Sequence, residues 1–273
     1  MKVIYFIPIL FLFSCTPTEQ DEADIESMHG RVDSEIVDMS ASSNERDVQA
    51  NWIFYEGRVG IYEQQVVIEL GISDSTVSGR YFYARHQRFL ALEGTYDTLT
   101  KEIKLIESYR GKITGYINCI QDVEGNLEGT WSKLEDSDKE PFAATRLELN
   151  LDGKRLMNVR FEKYTHAHEI LVYNGISNEP AIEKVVDEIV ISHINDRYLS
   201  FHYSVIGGNA HLGSMDGIAQ ITEPNLAEYQ SPQTECLLRF SFTKDSIAIV
   251  EEGDCSSYRG MRAHFGNTLG LIK

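Results

Sequence analysis

The chain has 273 residues, with 25 Lys and Arg against 42 Asp and Glu, and a formal net charge of −17. That balance excludes nucleic acid as a partner, because a duplex binder needs a basic footprint to displace counterions from phosphates. It equally excludes a polybasic attachment to anionic lipid. At 42% hydrophobic the chain can bury a real core, and its 14 Tyr and 12 Phe suit pleated surfaces.

Residues 1–14 read as a signal peptide. Lys2 precedes an apolar run from Val3 to Phe13, shorter than the ~20 residues needed to span a bilayer. The run ends in Leu12-Phe13-Ser14-Cys15, which resembles the lipobox of bacterial lipoproteins: a leucine three residues before the cysteine and a small residue just before it. The resemblance implies cleavage before Cys15, and a diacylglycerol plus a further acyl chain on that residue. Two or more chains make a stable anchor. Thr16, where an Asp would signal inner-membrane retention, implies the outer membrane, on its periplasmic face or the cell surface. Residues 15–50 then read as a flexible acidic tether. Positions 16–50 hold ten acidic and two basic residues and few aromatics, too little apolar surface to order themselves.

From 51 to 149 apolar and polar residues alternate. Eight strands are expected, near 52–62, 64–72, 75–84, 87–96, 101–107, 112–120, 126–133 and 141–149, separated by turn-forming clusters. Sequential hairpins predict an antiparallel up-and-down β-barrel. A five-residue unit recurs: Val77-Ser78-Gly79-Arg80-Tyr81, Leu92-Glu93-Gly94-Thr95-Tyr96, Ile113-Thr114-Gly115-Tyr116-Ile117 and Leu127-Glu128-Gly129-Thr130-Trp131, with Tyr55-Glu56-Gly57-Arg58-Val59 as a fifth copy. Residues two apart share a face of a strand, so each glycine lies on the apolar face. Glycine there fits a sharply coiled strand or a large neighbour that needs room, and a small closed barrel requires both. Tyr81, Tyr96 and Trp131 are expected in the interior and are the candidate ligand-binding residues. On this pattern the segment resembles the calycin-like barrels, lipocalins and avidin-like proteins. The two tryptophans and the missing lipocalin GxW motif keep biotin and lipid outside what the resemblance implies.

Residues 150–273 read as a second β-rich module with one short helix. Pro180 occupies a plausible first helical position, with Ile182, Val185 and Val186 following on one face. Alternation through Leu199, Phe201, Tyr203 and Val205 predicts a hairpin, and Met215-Asp216-Gly217-Ile218-Ala219 repeats the glycine unit. Cys236 opens one apolar run and Cys255 closes the next. A turn at Thr243-Lys244-Asp245 brings the two together, predicting a Cys236–Cys255 disulfide, as an exported chain permits. Cys119 alternates with Gly115 and Ile117 and reads as a small buried hydrophobe. The loop Gly207-Gly208-Asn209-Ala210-His211 and the cysteine hairpin loosely resemble uncharacterised bacterial envelope proteins. Gly208, Asn209 and His211 are candidate ligand contacts there, against the plainer reading of an ordinary hairpin loop. Arg259, Arg262 and His264 form the densest basic spot, suited either to capturing an anion or to offsetting Glu251, Glu252 and Asp254.

No nucleotide-binding, nucleophile-elbow, zincin or calcium-loop motif occurs, and no cofactor is called for. His166 and His168 are the metal candidates, two apart on one side of a strand, with His193 or His202 to complete a set. Three functions remain, in this order. The first is a non-enzymatic module, lipid-anchored to the membrane, that binds a ligand or an envelope or foreign protein. Its plan is similar to that of small lipid-anchored lysozyme inhibitors. The second is an assembly lipoprotein that docks through a strand edge. The third is a metal-assisted hydrolase using His166 and His168, placed last because no catalytic motif occurs.

Overall fold

The computed structural model describes residues 51–61, 64–86, 88–135, 137–147, 159–173 and 180–272. The segments expected to be a signal peptide and an acidic tether, with Cys15, lie outside the described residues. The alternating stretches after Trp52 become β1 (Asn51–Val59), β2 (Gln64–Ser73), β3 (Thr76–Tyr83), β4 (Phe89–Tyr96), β5 (Glu102–Tyr109), β6 (Lys112–Gln121), β7 (Leu127–Ser132) and β8 (Lys139–Leu147). Each pairs antiparallel with the next, and β1 pairs with β8 from Phe54↔Leu147 to Val59↔Phe142, closing an eight-stranded barrel. Its interior is apolar: Tyr55, Val66, Ile68, Leu70, Tyr81, Leu92 and Ile103 are all at or below 1% exposure.

The second half closes as well. Strands β9 (Arg160–Tyr173), β10 (Pro180–His193), β11 (Tyr198–Gly207), β12 (His211–Glu223), β13 (Leu226–Gln230), β14 (Leu237–Phe242), β15 (Ser246–Glu252) and β16 (Asn267–Leu271) form a second eight-stranded antiparallel barrel. Both halves are thus calycin-like in architecture, where only a β-rich module was expected of the second. Its core runs through Ile189, Ile191, Phe201, Tyr203, Phe240 and Leu269. Cys236 and Cys255 are disulfide-bonded, with Cα atoms 4.6 Å apart, at the open end of the β14–β15 hairpin.

One expectation is corrected. Pro180 begins a strand, not a helix, and the only helical elements among the described residues are short 3-10 turns at Gly208–Ala210 and Ser256–Tyr258. Proline is tolerated at the first position of a strand, where it has no ladder bond to lose. Ile182 and Val186 are exposed on the outer face, at 67% and 49%. Val185, between them in parity, points the other way. The supposed helical stripe is a run of β-branched residues paired with β9 from Pro180↔Tyr173 onward.

The recurring glycines do both things expected of them. A Cβ on Gly79, Gly94 or Gly129 would meet a carbonyl of the next strand within about 2 Å, at Glu69, Lys104 and Asn118, so these are points of very close strand approach. Gly115 and Gly217 instead make room for rings. A Cβ on Gly115 would lie 2.5 Å from Trp131 Nε1, and one on Gly217 would lie 2.2 Å from Tyr229 Cε2.

The barrels touch through outer faces. Phe54, Val67 and Phe82 of the first are buried with Ile194 of the second, flanked by Phe161, Tyr198 and Ile218. Arg58 Nη1 donates to Asp216 Oδ1 at 2.8 Å across this contact. His202 also faces Asp216, and burial lowers its pKa below the usual histidine value.

Gly217→Ala is expected to force a methyl into the Tyr229 ring and to lower stability by about 1–3 kcal/mol, read as a lower urea midpoint at unchanged m-value.

Candidate functional site

The mouth of the second barrel is an open cleft of about 1370 Å³. Three connecting turns ring it: Ile194–Arg197 after β10, Pro224–Asn225 after β12, and Thr243–Asp245 after β14. Its floor is Tyr164, Ile221, Leu226 and Phe242, and its rim carries Arg160, Asp196, Glu223 and Lys244. Arg80 reaches the rim from the first barrel. Its Nε donates to the fully buried Glu69 at 3.0 Å and its guanidinium lies 4.6 Å from the Phe89 ring centre.

Alternation along β9 turns Glu162 and Tyr164 inward at this mouth. Glu162 Oε2 accepts from Tyr164 Oη at 2.7 Å and lies 3.2 Å from His193 Nε2, while Arg160 Nε is 3.0 Å from Oε1. The hydrogen bond with His193, together with Tyr164 and Arg160, holds the Glu162 carboxyl down at about 2. Burial, then the bond to Glu162, pushes the Tyr164 hydroxyl well above its usual range. Asn195 Oδ1 accepts from the backbone N–H of Arg197 (2.8 Å) and Tyr198 (2.9 Å), which fixes the first turn. Its Nδ2 is buried without a partner among the described residues. The cleft therefore combines an apolar floor, a wall carboxylate held ionised at neutral pH and, beneath its first turn, a buried amide N–H without a partner among the described residues.

The candidates named from sequence fall elsewhere. Tyr81 and Trp131 come together inside the first barrel. Tyr81 Oη and Trp131 Nε1 (2.8 Å) both donate to Glu107 Oε2. Tyr96 stands at the opposite end, donating to Gln121 at 3.2 Å. Asn209, at φ 56°, accepts the Tyr173 N–H at 2.9 Å with Oδ1, so Gly208, Asn209 and His211 form a corner that ties β11–β12 to β9. Arg259 is spent on Glu251, at 2.7 and 2.9 Å, as the charge-offset reading expects.

His166 and His168 do share a face, with rings stacked 5.3 Å apart, and His168 Nε2 lies 3.2 Å from Asp187 Oδ1. His193 belongs to the cleft at the other end of the barrel, and His202 to the outer face. Among the described residues no group of three or more His, Cys, Asp or Glu is placed to hold a metal ion. Cys119 is 2% exposed, and burial pushes its thiol up to about 12.

The cleft residues carry no sequence motif. With 42 acidic residues in the chain, Glu162 does not stand out; its only signal is two-residue alternation with Tyr164. No protein-family model matches the chain. No curated protein matches it in sequence.

Two outcomes follow. The folded-state pKa of Glu162 lies below its ordinary value of 4.5, so its contribution is present above about pH 4.5 and is lost as pH falls through about 2. Glu162→Gln should flatten that stretch of the stability–pH curve in acid-unfolding measurements. Cys119 should resist maleimide in the native protein and react fully in denaturant, as read by mass spectrometry.

Proposed function

We propose that the chain is a non-enzymatic binding module, lipid-anchored through Cys15 in the bacterial envelope, which receives a protein partner at the mouth of its second barrel. The observation that carries this is the cleft itself. At about 1370 Å³ it exceeds the 300–1,000 Å³ of ordinary small-molecule pockets. Its rim is made of turns with charges of both signs around an apolar floor, which suits a polypeptide segment bearing an apolar anchor. The first barrel's aromatic hydroxyls and its Trp131 indole are already engaged with Glu107 and Gln121, so Tyr81, Tyr96 and Trp131 offer less to a large ligand.

The anchor reading rests on Leu12-Phe13-Ser14-Cys15. The 35 residues from 16 to 50 could span at most about 120 Å, enough to present the barrels well away from a membrane surface. The metal-assisted hydrolase is disfavoured by the lack of a ligand cluster among the described residues.

An assembly role keeps one supporting observation. Beyond the barrel wall the outer face of the β9–β10 hairpin exposes Leu171, Tyr173, Ile182 and Val186. A photo-crosslinking residue at Asn225 separates the two readings from a matching residue at Ile182. Adducts at Asn225 alone support the cleft, and adducts at Ile182 alone support edge or face docking.

Cys15→Ser is expected to abolish palmitate incorporation and to release the protein from the membrane fraction. Full membrane retention of the unlabelled variant would reject the anchor.

A further inference from the structure

The rim of the second-barrel cleft is held in a fixed shape. The backbone N–H of Ile221 donates to Arg197 O at 2.7 Å, that of Phe242 to Asn225 O at 2.8 Å, and that of Leu271 to Asp245 O at 2.9 Å. Each of the three turns around the mouth is thereby tied to a neighbouring strand. Between Ile221 and Glu223 the β12–β13 ladder slips by one residue, and this bulge sets Glu223 opposite Leu226. Bulges at barrel rims re-aim a side chain in this way. The wall of the cleft is thus formed before anything enters it, and a preformed wall loses little entropy on binding.

The charges on this rim differ in how they are matched. Arg80 Nε lies 3.0 Å from Glu69, and Arg160 Nε lies 3.0 Å from Glu162. The side chains of Asp196, Glu223 and Lys244 are exposed, and they make no ion pair or hydrogen bond among the described residues. The bond from Ile221 N–H to Arg197 O joins the Asp196 turn to the end of β12. The two unmatched carboxylates therefore stand on adjacent parts of the rim, while Lys244 stands on the third turn. Ile221, Leu226 and Phe242 are half-buried, which leaves apolar surface facing the cleft. Unmatched charge on the rim is acidic by two to one. The surrounding field has the same sign, with 32 acidic and 22 basic residues between positions 51 and 273.

We propose that the segment received here is basic: an exposed stretch of a partner protein whose apolar side chain seats on Ile221, Leu226 and Phe242 and whose neighbouring Lys or Arg pairs with Asp196 and Glu223. The inference rests on the reading of this mouth as a protein-binding cleft and names the chemistry of the partner. The apolar anchor supplies the burial. The charge pairs lie on the rim, so they act on encounter rate and partner choice more than on final affinity. An acidic segment would approach two unmatched carboxylates on a chain of net charge −17, and like charges brought together cost affinity.

The test uses the full-length protein in a non-ionic detergent, with empty micelles as the blank. The probes are three dye-labelled peptides blocked at both ends, Gly-Lys-Phe-Lys-Gly and its versions with Ser or Glu in place of both Lys, read by fluorescence anisotropy. The Lys peptide is expected to bind about fivefold to tenfold tighter than the Ser peptide at low salt, with the difference gone at about 0.5 M sodium chloride. The Glu peptide is expected to bind more weakly than the Ser peptide. Asp196→Asn together with Glu223→Gln changes two exposed positions and leaves the core untouched. This double variant should bring the Lys peptide to the Ser level and leave the Ser peptide unchanged. Leu226→Ser should weaken binding of all three. Equal affinities for the Lys and Ser peptides, or a Lys preference that survives in the double variant, overturn the basic-partner inference; binding that still depends on Leu226 then keeps the cleft reading. Binding by none of the peptides, or binding indifferent to Leu226→Ser, overturns both.

Discussion

The pairing of β1 with β8, and of β16 with β9, makes each sheet its own neighbour. Once the sheet closes, its interior has a fixed volume and the strands must coil tightly enough to fit around it. The glycine at the centre of each five-residue unit follows from that. Where two backbones come closest it removes a Cβ that would strike a carbonyl, and where a ring must fit it yields the space to Trp131 or Tyr229. The two closures are not equally long. The first runs over six register positions, from Phe54 to Val59. The second has only Gly270↔Thr165 and Leu271↔Tyr164 in register, with Ile272 N–H to Lys163 O at 2.9 Å beyond them. The far halves of β9 and β10 therefore leave the wall and pair with each other. Asp187 replaces the missing ladder contact by accepting the Ile206 N–H at 2.8 Å and the Asn267 amide at 3.1 Å.

Closure also forces a decision about every polar side chain at an inward position. Glu107 and Glu162 are two answers. Glu162 stands near the mouth, where Arg160 and His193 can reach it, and its charge is balanced on site. Glu107 lies deeper among Tyr81, Thr114 and Trp131, where neutral donors orient it but supply no positive charge. Three donors thus satisfy a buried carboxyl group at an inward position. The sequence marks both only as acidic residues on otherwise apolar faces, which the alternation rule alone would put in the core.

All eight strands of the first barrel were legible, because each is short, alternates cleanly and ends in turn-forming residues. The Cys236–Cys255 bridge was legible for a similar reason: two apolar runs around Thr243-Lys244-Asp245 leave their ends no other place to go. Closure of the second half was not. Its longest strands, β9 and β10, extend past the wall, so their inward and outward positions change environment along their length. Ile182, Val185 and Val186 then mimic a helical stripe. The cleft was illegible for a further reason. Glu162, His193, Asn195, Glu223 and Phe242 come from four separate segments, and only closure brings them to one mouth.

The contact between the barrels mixes apolar and ionic parts in a way that bears on recognition. Phe54, Val67, Phe82 and Ile194 supply the burial. Arg58–Asp216 and Glu69–Arg80 fix orientation more than they add stability, since a partly desolvated ion pair gains little net energy. Arg80 is the residue in which these roles meet. It is held by a buried carboxylate and an aromatic ring of the first barrel, and it forms part of the rim of the second. A cleft whose wall includes a side chain so firmly fixed from outside cannot be reproduced by the second barrel alone. The pairing of the two barrels is thus part of the cleft wall, and the ion pairs between and beside them hold its rim in register.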